Sequence, residues 1–155
     1  YNFQKVEKVN NNIIGLDKNN ALYLLNTDSK TVQKISQNIS LIILSPDNKK
    51  LLLKSDEEFL IYFLEDTEKD GIKHASETTR LKFMKPGFIN FAWHKGSNHL
   101  FAQNKDSELI FMEIEDKEPQ NSWVIAQNIK NFSYNKEEDM LYFTKNNLLY
   151  KIDIY

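Results

Sequence analysis

Short apolar runs separated by polar, turn-forming pentads recur along the whole chain. In LSPDNKKLLL, residues 44 to 53, the polar Ser45 to Lys49 stands between Leu41-Ile-Ile-Leu44 and Leu51-Leu-Leu53. After Ser55-Asp-Glu-Glu58 comes a third apolar run, Phe59-Leu-Ile-Tyr-Phe-Leu64. The phrase returns as Ile89 to Trp93, the polar His94 to Asn98, His99 to Ala102, a turn at Gln103 to Ser107, and Glu108 to Ile114. It returns again as Phe132 to Tyr134, Asn135 to Asp139, Met140 to Phe143, Lys145 to Asn147 and Leu148 to Ile154. Runs of this length, rich in Ile, Leu, Phe and Tyr and punctuated by Asn, Asp, Ser, Gly and Pro, predict strands joined by tight turns, and the closely spaced breakers leave no room for helices. Hairpin turns are expected at Ser45 to Lys49, His94 to Asn98 and Asn135 to Asp139.

The early part of the chain fits the same scheme. Ile13 to Leu24 aligns without a gap on Met140 to Lys151, with Lys-Asn-Asn and Leu-Tyr common to both. Taking Ile13, Leu51, His99 and Met140 as equivalent positions, the units are separated by 38, 48 and 41 residues. Several short strands repeating at roughly 40 to 50 residues are the pattern of propeller blades. Each unit reads as an inner strand, two middle strands and a more polar outer strand. The outer strands are placed at Thr31 to Ile35, Glu77 to Leu81 and Ser122 to Ala126. Continuously apolar middle runs predict strands covered on both faces. The acidic loops Glu65 to His74, with Gly71, and Glu115 to Gln120, with Pro119, belong at the periphery.

Ser45-Pro-Asp-Asn-Lys-Lys-Leu-Leu-Leu53 followed by Ile61-Tyr62 resembles the TolB-type, WD40-like β-propeller repeat, with Asn48 where that pattern has glycine. Trp93 falls in the aromatic-bearing inner run of the pattern, one repeat later. The order of motifs, closing on Leu149-Tyr-Lys-Ile152, is also similar to propeller regions that follow a membrane anchor and PEGA modules in bacterial proteins. The resemblance implies an all-β propeller of four-stranded antiparallel blades, three to four of them present as part of a larger propeller, in one region with approximate units 1–39, 40–86, 87–128 and 129–155. It also implies an extracytoplasmic or membrane-anchored location in a bacterium, with the anchor elsewhere in a longer chain.

Composition narrows the function. The chain has 155 residues, 41% hydrophobic and 27% charged, which suits a folded domain. Its net charge is −2 and Arg80 is the single arginine, so nucleic acid is not expected as a partner. No cysteine is present. No apolar run approaches the roughly 20 residues of a membrane-spanning helix, so this segment is not expected to insert. The chain starts at Tyr1 without an n-region or apolar leader, and the expectation is a piece of something longer. Tyr1 to Val9 reads either as an inner strand of the first unit or as the closing strand of the last. Three to four blades are too few to close a ring, and exposed faces at the ends should then be apolar.

No catalytic motif is present: there is no nucleophile elbow, phosphate loop or dinucleotide fingerprint, and four glycines supply little material for one. His94 and His99 flank one turn and can approach each other, but no metal ligand stands beside them in sequence, so both are read as turn residues; His74 is read as exposed. The acids at Asp56 to Glu58, Glu65-Asp66, Glu113 to Asp116 and Glu137 to Asp139 lack calcium-loop spacing and are read as solvated turns. Pro46 and Asp47 are read as turn-forming. Most aromatic residues belong to the core, while Trp93, Trp123 and Tyr134 stand out as surface candidates. The expectation is a non-catalytic module with a protein partner, no cofactor, no metal, no catalytic residue and an unknown ligand-binding surface. The rivals are the propeller part of a hydrolase or lyase, and a structural spacer.

Overall fold

The computed structural model describes residues 2–56, 58–67, 73–82, 87–115 and 120–154. Gly71, Pro119, Glu57, Asp116 and the terminal Tyr1 and Tyr155 lie outside the described residues, so parts of the two acidic loops do as well. Among the described residues there is no helix. The fifteen strands of the described residues follow the runs read from the sequence. The first sheet contains β1 (Phe3–Val9), β2 (Asn12–Asp17), β3 (Leu22–Asn26) and β4 (Thr31–Ser36). The second contains β5 (Leu41–Leu44), β6 (Lys50–Lys54), β7 (Phe59–Phe63) and β8 (Thr78–Arg80). The third contains β9 (Phe88–Trp93), β10 (His99–Asn104), β11 (Leu109–Glu113) and β12 (Ser122–Ala126). The fourth contains β13 (Asn131–Asn135), β14 (Met140–Lys145) and β15 (Leu148–Asp153). Each sheet is a meander in chain order, the simplest outcome when strands that follow one another in sequence pair directly.

The polar pentads are hairpin turns, as their composition predicts. Asn48, where the resembled repeat has glycine, has φ 59°, and in the other two pentads Ser97 and Asp139 have φ 59° and 55°. Among the described residues, twelve non-glycine residues have positive φ and seven of them are asparagine. Asparagine tolerates the left-handed region better than other non-glycine residues, which explains how a chain with four glycines makes so many turns.

The chain divides into two compact units, Tyr1–Leu44 with Asn48–Thr78, and Ser45–Asp47 with Thr79–Tyr155. In the first, β1 to β4 pack on β5 to β7 through Val9, Ile14, Leu22, Leu24, Leu51, Leu53 and Tyr62. β1 pairs with β2, so the amino-terminal stretch serves as the first strand of its own sheet. The ring of Phe3 lies over Gly15, where a Cβ would come within 2.7 Å of it, and meets Tyr23 edge-on. In the second unit, β9 to β12 and β13 to β15 enclose Phe101, Leu109, Ile129, Phe132, Leu141 and Phe143.

One repeated device escaped the reading of apolar runs. Gln37-Asn38-Ile39 precedes β5 and Gln127-Asn128-Ile129 precedes β13. Asn38 and Asn128 have φ 57° and 59°, and each turns the chain so that the following isoleucine is buried. The N–H of Ile39 then donates to the carbonyl of Asn20, 2.9 Å away, and that of Ile129 to the carbonyl of Ser107, also at 2.9 Å. Each tripeptide thereby fastens the entry of a new sheet to a hairpin turn of the preceding one, within one unit.

Candidate functional site

The densest group of polar and aromatic side chains lies in the second unit, where the β9–β10 turn meets the β13–β14 turn. His94 ends the first strand of the pair and its Nδ1 accepts a hydrogen bond from the N–H of Gly96, two residues on, at 3.2 Å. That bond leaves the ring proton on Nε2, which stands 3.6 Å from Asp139 Oδ1. Asp139 comes from the turn 45 residues later, held there in left-handed backbone at φ 55°. Its Oδ1 also accepts from the Tyr134 hydroxyl at 2.6 Å, and its Oδ2 pairs with Lys95 Nζ at 2.5 Å. The Tyr134 oxygen in turn accepts from the Lys95 N–H at 3.2 Å.

Burial lowers the pKa of His94, partly offset by the charge of Asp139, which raises it. Burial together with the bond to Asp139 pushes the Tyr134 phenol up to about 12. Hydrogen bonds from Lys95 and Tyr134 lower the pKa of Asp139. Near neutrality the group is therefore a neutral imidazole, a neutral phenol, a carboxylate and an ammonium. Asp139 thus joins the group, accepting from Tyr134, pairing with Lys95 and lying near His94 Nε2.

This corrects the sequence reading in one respect: an acidic side chain does stand beside His94, supplied by the following sheet rather than by its neighbours in sequence. His94 and His99 do approach, with ring centroids 5.9 Å apart, but His99 stacks on Phe111 at 4.7 Å and His94 packs edge-on against Phe101 and Phe111. Among the described residues, no set of three His, Asp or Glu side chains is arranged to hold a metal ion. His74 is exposed and 3.7 Å from Asp66. Asp47 Oδ1 accepts from the Ser45 hydroxyl at 2.5 Å, and the Asp47 N–H donates to Ser97 Oγ at 3.1 Å.

The aromatic candidates separate. Trp93 is 5% exposed and belongs to the core, because β9 turns that position inward. Tyr134 is part of the network just described. Trp123 is 49% exposed on β12, next to Val124 at 52%. β12 is an edge strand of its sheet, and β15, an edge strand of the fourth sheet, exposes Leu148, Leu149 and Tyr150. In the same unit a groove of about 550 Å³ is lined by Val124, Ile125, Ala126, Phe143, Lys145 and Tyr150. The sequence reading puts Ser122 to Ala126 in an outer strand and sets Trp123 apart, but it counts Leu148 to Ile154 among the runs covered on both faces, since the exposure of an edge strand carries no local signature.

No protein-family model matches the chain, and no curated protein matches it either. Solved structures do. The β-propeller domain of Myceliophteria thermophila Cps50 (Swd1) superposes with a TM-score of 0.56 over 98% of this chain and 52% of that one, at 14% identity. The fold is that of a β-propeller. The extracellular domain of the putative one component system BT4673 from Bacteroides thetaiotaomicron gives a TM-score of 0.56 at 12% identity, over 97% of this chain and 20% of that one. The N-terminal domain of Nup159 gives 0.53 at 11%, over 97% and 43%. The chain thus spans about half or less of each of these structures. At such identities the likeness extends to the fold alone.

Proposed function

We propose that this chain is a non-catalytic β-propeller interaction module that binds another protein at the bacterial cell envelope. The observation that carries the reading is the exposed apolar surface on β12 and β15, where Val124 and Tyr150 line a groove floored by Ile125 and Phe143 and Trp123 is exposed next to Val124 on the edge strand. Apolar and aromatic groups gathered in this way are what a protein partner desolvates, and aromatic anchors of this kind supply most of the affinity in such contacts. A groove flanked by edge strands suits an extended segment, which can add its backbone to a sheet edge while alternate side chains enter the groove. The propeller scaffolds to which the chain is similar support a binding role. The envelope location rests on the resemblance to anchored propeller regions.

Selection of random peptides on the protein tests the proposal. Sequences with alternating apolar residues should be enriched, and Trp123→Ala should weaken their binding by about tenfold or more. Failure to enrich any peptide, or binding indifferent to both Trp123→Ala and Tyr150→Ser, would remove its basis.

A further inference from the structure

In the first unit, a cavity of about 200 Å³ opens beside β1 and β5. Its floor is apolar, made by Val9, Ile14, Leu16, Ile42, Leu44 and Leu51. Two charged side chains also line it, Lys5 and Glu7, from the side of β1 that Val9 shares. The alternation that turns Val9 into the core therefore directs Lys5 and Glu7 toward the same cavity, where a strand of this pattern ordinarily carries aliphatic residues. Lys5 Nζ and Glu7 Oε2 are 3.6 Å apart, and both side chains are more than half exposed. An ion pair so placed contributes little to stability, so opening it to admit other charges costs little.

We propose that this cavity is a binding site for a small zwitterion with an aliphatic side chain, the class to which free leucine and isoleucine belong. Size argues for it: an apolar cavity of about 150 Å³ takes up a molecule as large as benzene, and this one is larger. Charge selects the head group. A lone carboxylate faces repulsion from Glu7 and a lone amine faces repulsion from Lys5. A molecule bearing both, a few ångströms apart, exchanges the internal ion pair for two charge-assisted bonds, its ammonium to Glu7 and its carboxylate to Lys5. Its side chain covers Ile42 and Leu44, which are only partly buried.

Isothermal titration of the protein with L-leucine tests the assignment. Saturable one-to-one binding is expected, weakened about tenfold or more by Lys5→Gln or Glu7→Gln, both at exposed positions that leave the fold intact. Ile42→Phe, which fills the cavity, should abolish it. N-acetyl-leucine amide, which has the side chain without either charge, should not bind. Absence of saturable leucine binding to the folded protein would overturn the proposal. So would unchanged affinity in both charge variants, or equal binding of the uncharged analogue. None of these outcomes bears on peptide binding at Trp123, which involves the other unit.

Discussion

The two units are built from the same kind of meander and filled with different chemistry. In the first, Val, Ile and Leu pack around the ring of Tyr62, while Phe59 and Phe63, also on β7, are buried outside that cluster. The second encloses Phe101, Phe132 and Phe143, with Phe111 and Tyr134 packed against them and the His94 network at one margin. Strand order and turn geometry are thus indifferent to whether branched aliphatics or rings fill the interior, provided the runs keep their length and the turns keep their asparagines. Aromatic packing brings with it polar tips that must be satisfied, and Tyr134 meets that demand through Asp139. The second unit therefore sets a group of bonded His, Tyr and Asp side chains at the margin of its core, whereas the first buries Lys50 and Tyr62 and keeps the Lys5–Glu7 pair at the mouth of a cavity.

The largest effect that would sharpen this contrast is loss of a core side chain from each unit. Phe101→Ala should destabilise by about 3–5 kcal/mol and Leu22→Ala by about 2–5 kcal/mol, since both side chains are fully buried. If the units unfold independently, each substitution shifts one of two transitions in a urea titration. A single transition shifted by both would mean that the units act as one cooperative body.

A smaller effect is expected at the polar tip. Tyr134→Phe keeps the ring against Phe101 and removes the bond to Asp139, and should cost about 1–2 kcal/mol in urea unfolding. A cost near zero would show that the bond to Asp139 adds nothing to the stability of the second unit.

Much of this fold is legible in the sequence because strand and turn are both encoded locally. Leu41–Leu44, Lys50–Lys54 and Ser122–Ala126 are strands with the bounds that their composition suggests. Asn48 could be placed in a turn from its neighbours alone. The gapless match of Ile13 to Leu24 on Met140 to Lys151 is less informative than it looks. In the first copy the Asp17 carboxylate accepts from the N–H groups of Asn19 and Ala21, and the turn closes with Asn20 alone at positive φ. In the second copy Thr144 stands in place of Asp17, and Asn146 and Asn147, both at positive φ, make a two-residue turn between Lys145 and Leu148. Tyr23 consequently lies opposite Gly15, whereas Tyr150 lies opposite Phe143, one position out of step with the alignment. One side chain next to a turn shifts the register of a hairpin, and a register shift of one exchanges the faces. The pairing of His94 with Asp139 was beyond any local reading, because 45 residues separate them and only the packing of β9 beside β13 brings them together.

The smallest effect is a pH dependence that belongs to the second unit. The folded protein holds His94 below its ordinary pKa of 6.5, chiefly by burial. The unfolded chain therefore takes up a proton at a higher pH than the folded one. Stability is full above about 6.5, declines as the pH falls below that value, and levels off once the pH passes the lowered value in the fold. Asp139 acts in a separate window, since its carboxylate is held below 3.8 and its contribution is lost only as the pH falls through that lower value. Tyr134, raised to about 12, contributes at the alkaline end, where stability declines as the pH rises past 10. Thermal unfolding followed between pH 7 and about 5 should accordingly show a falling midpoint. His94→Gln should flatten that slope while leaving the decline below pH 4 in place. A slope unchanged by the substitution would assign the titration to another group and would leave the two units alike in their response to acid.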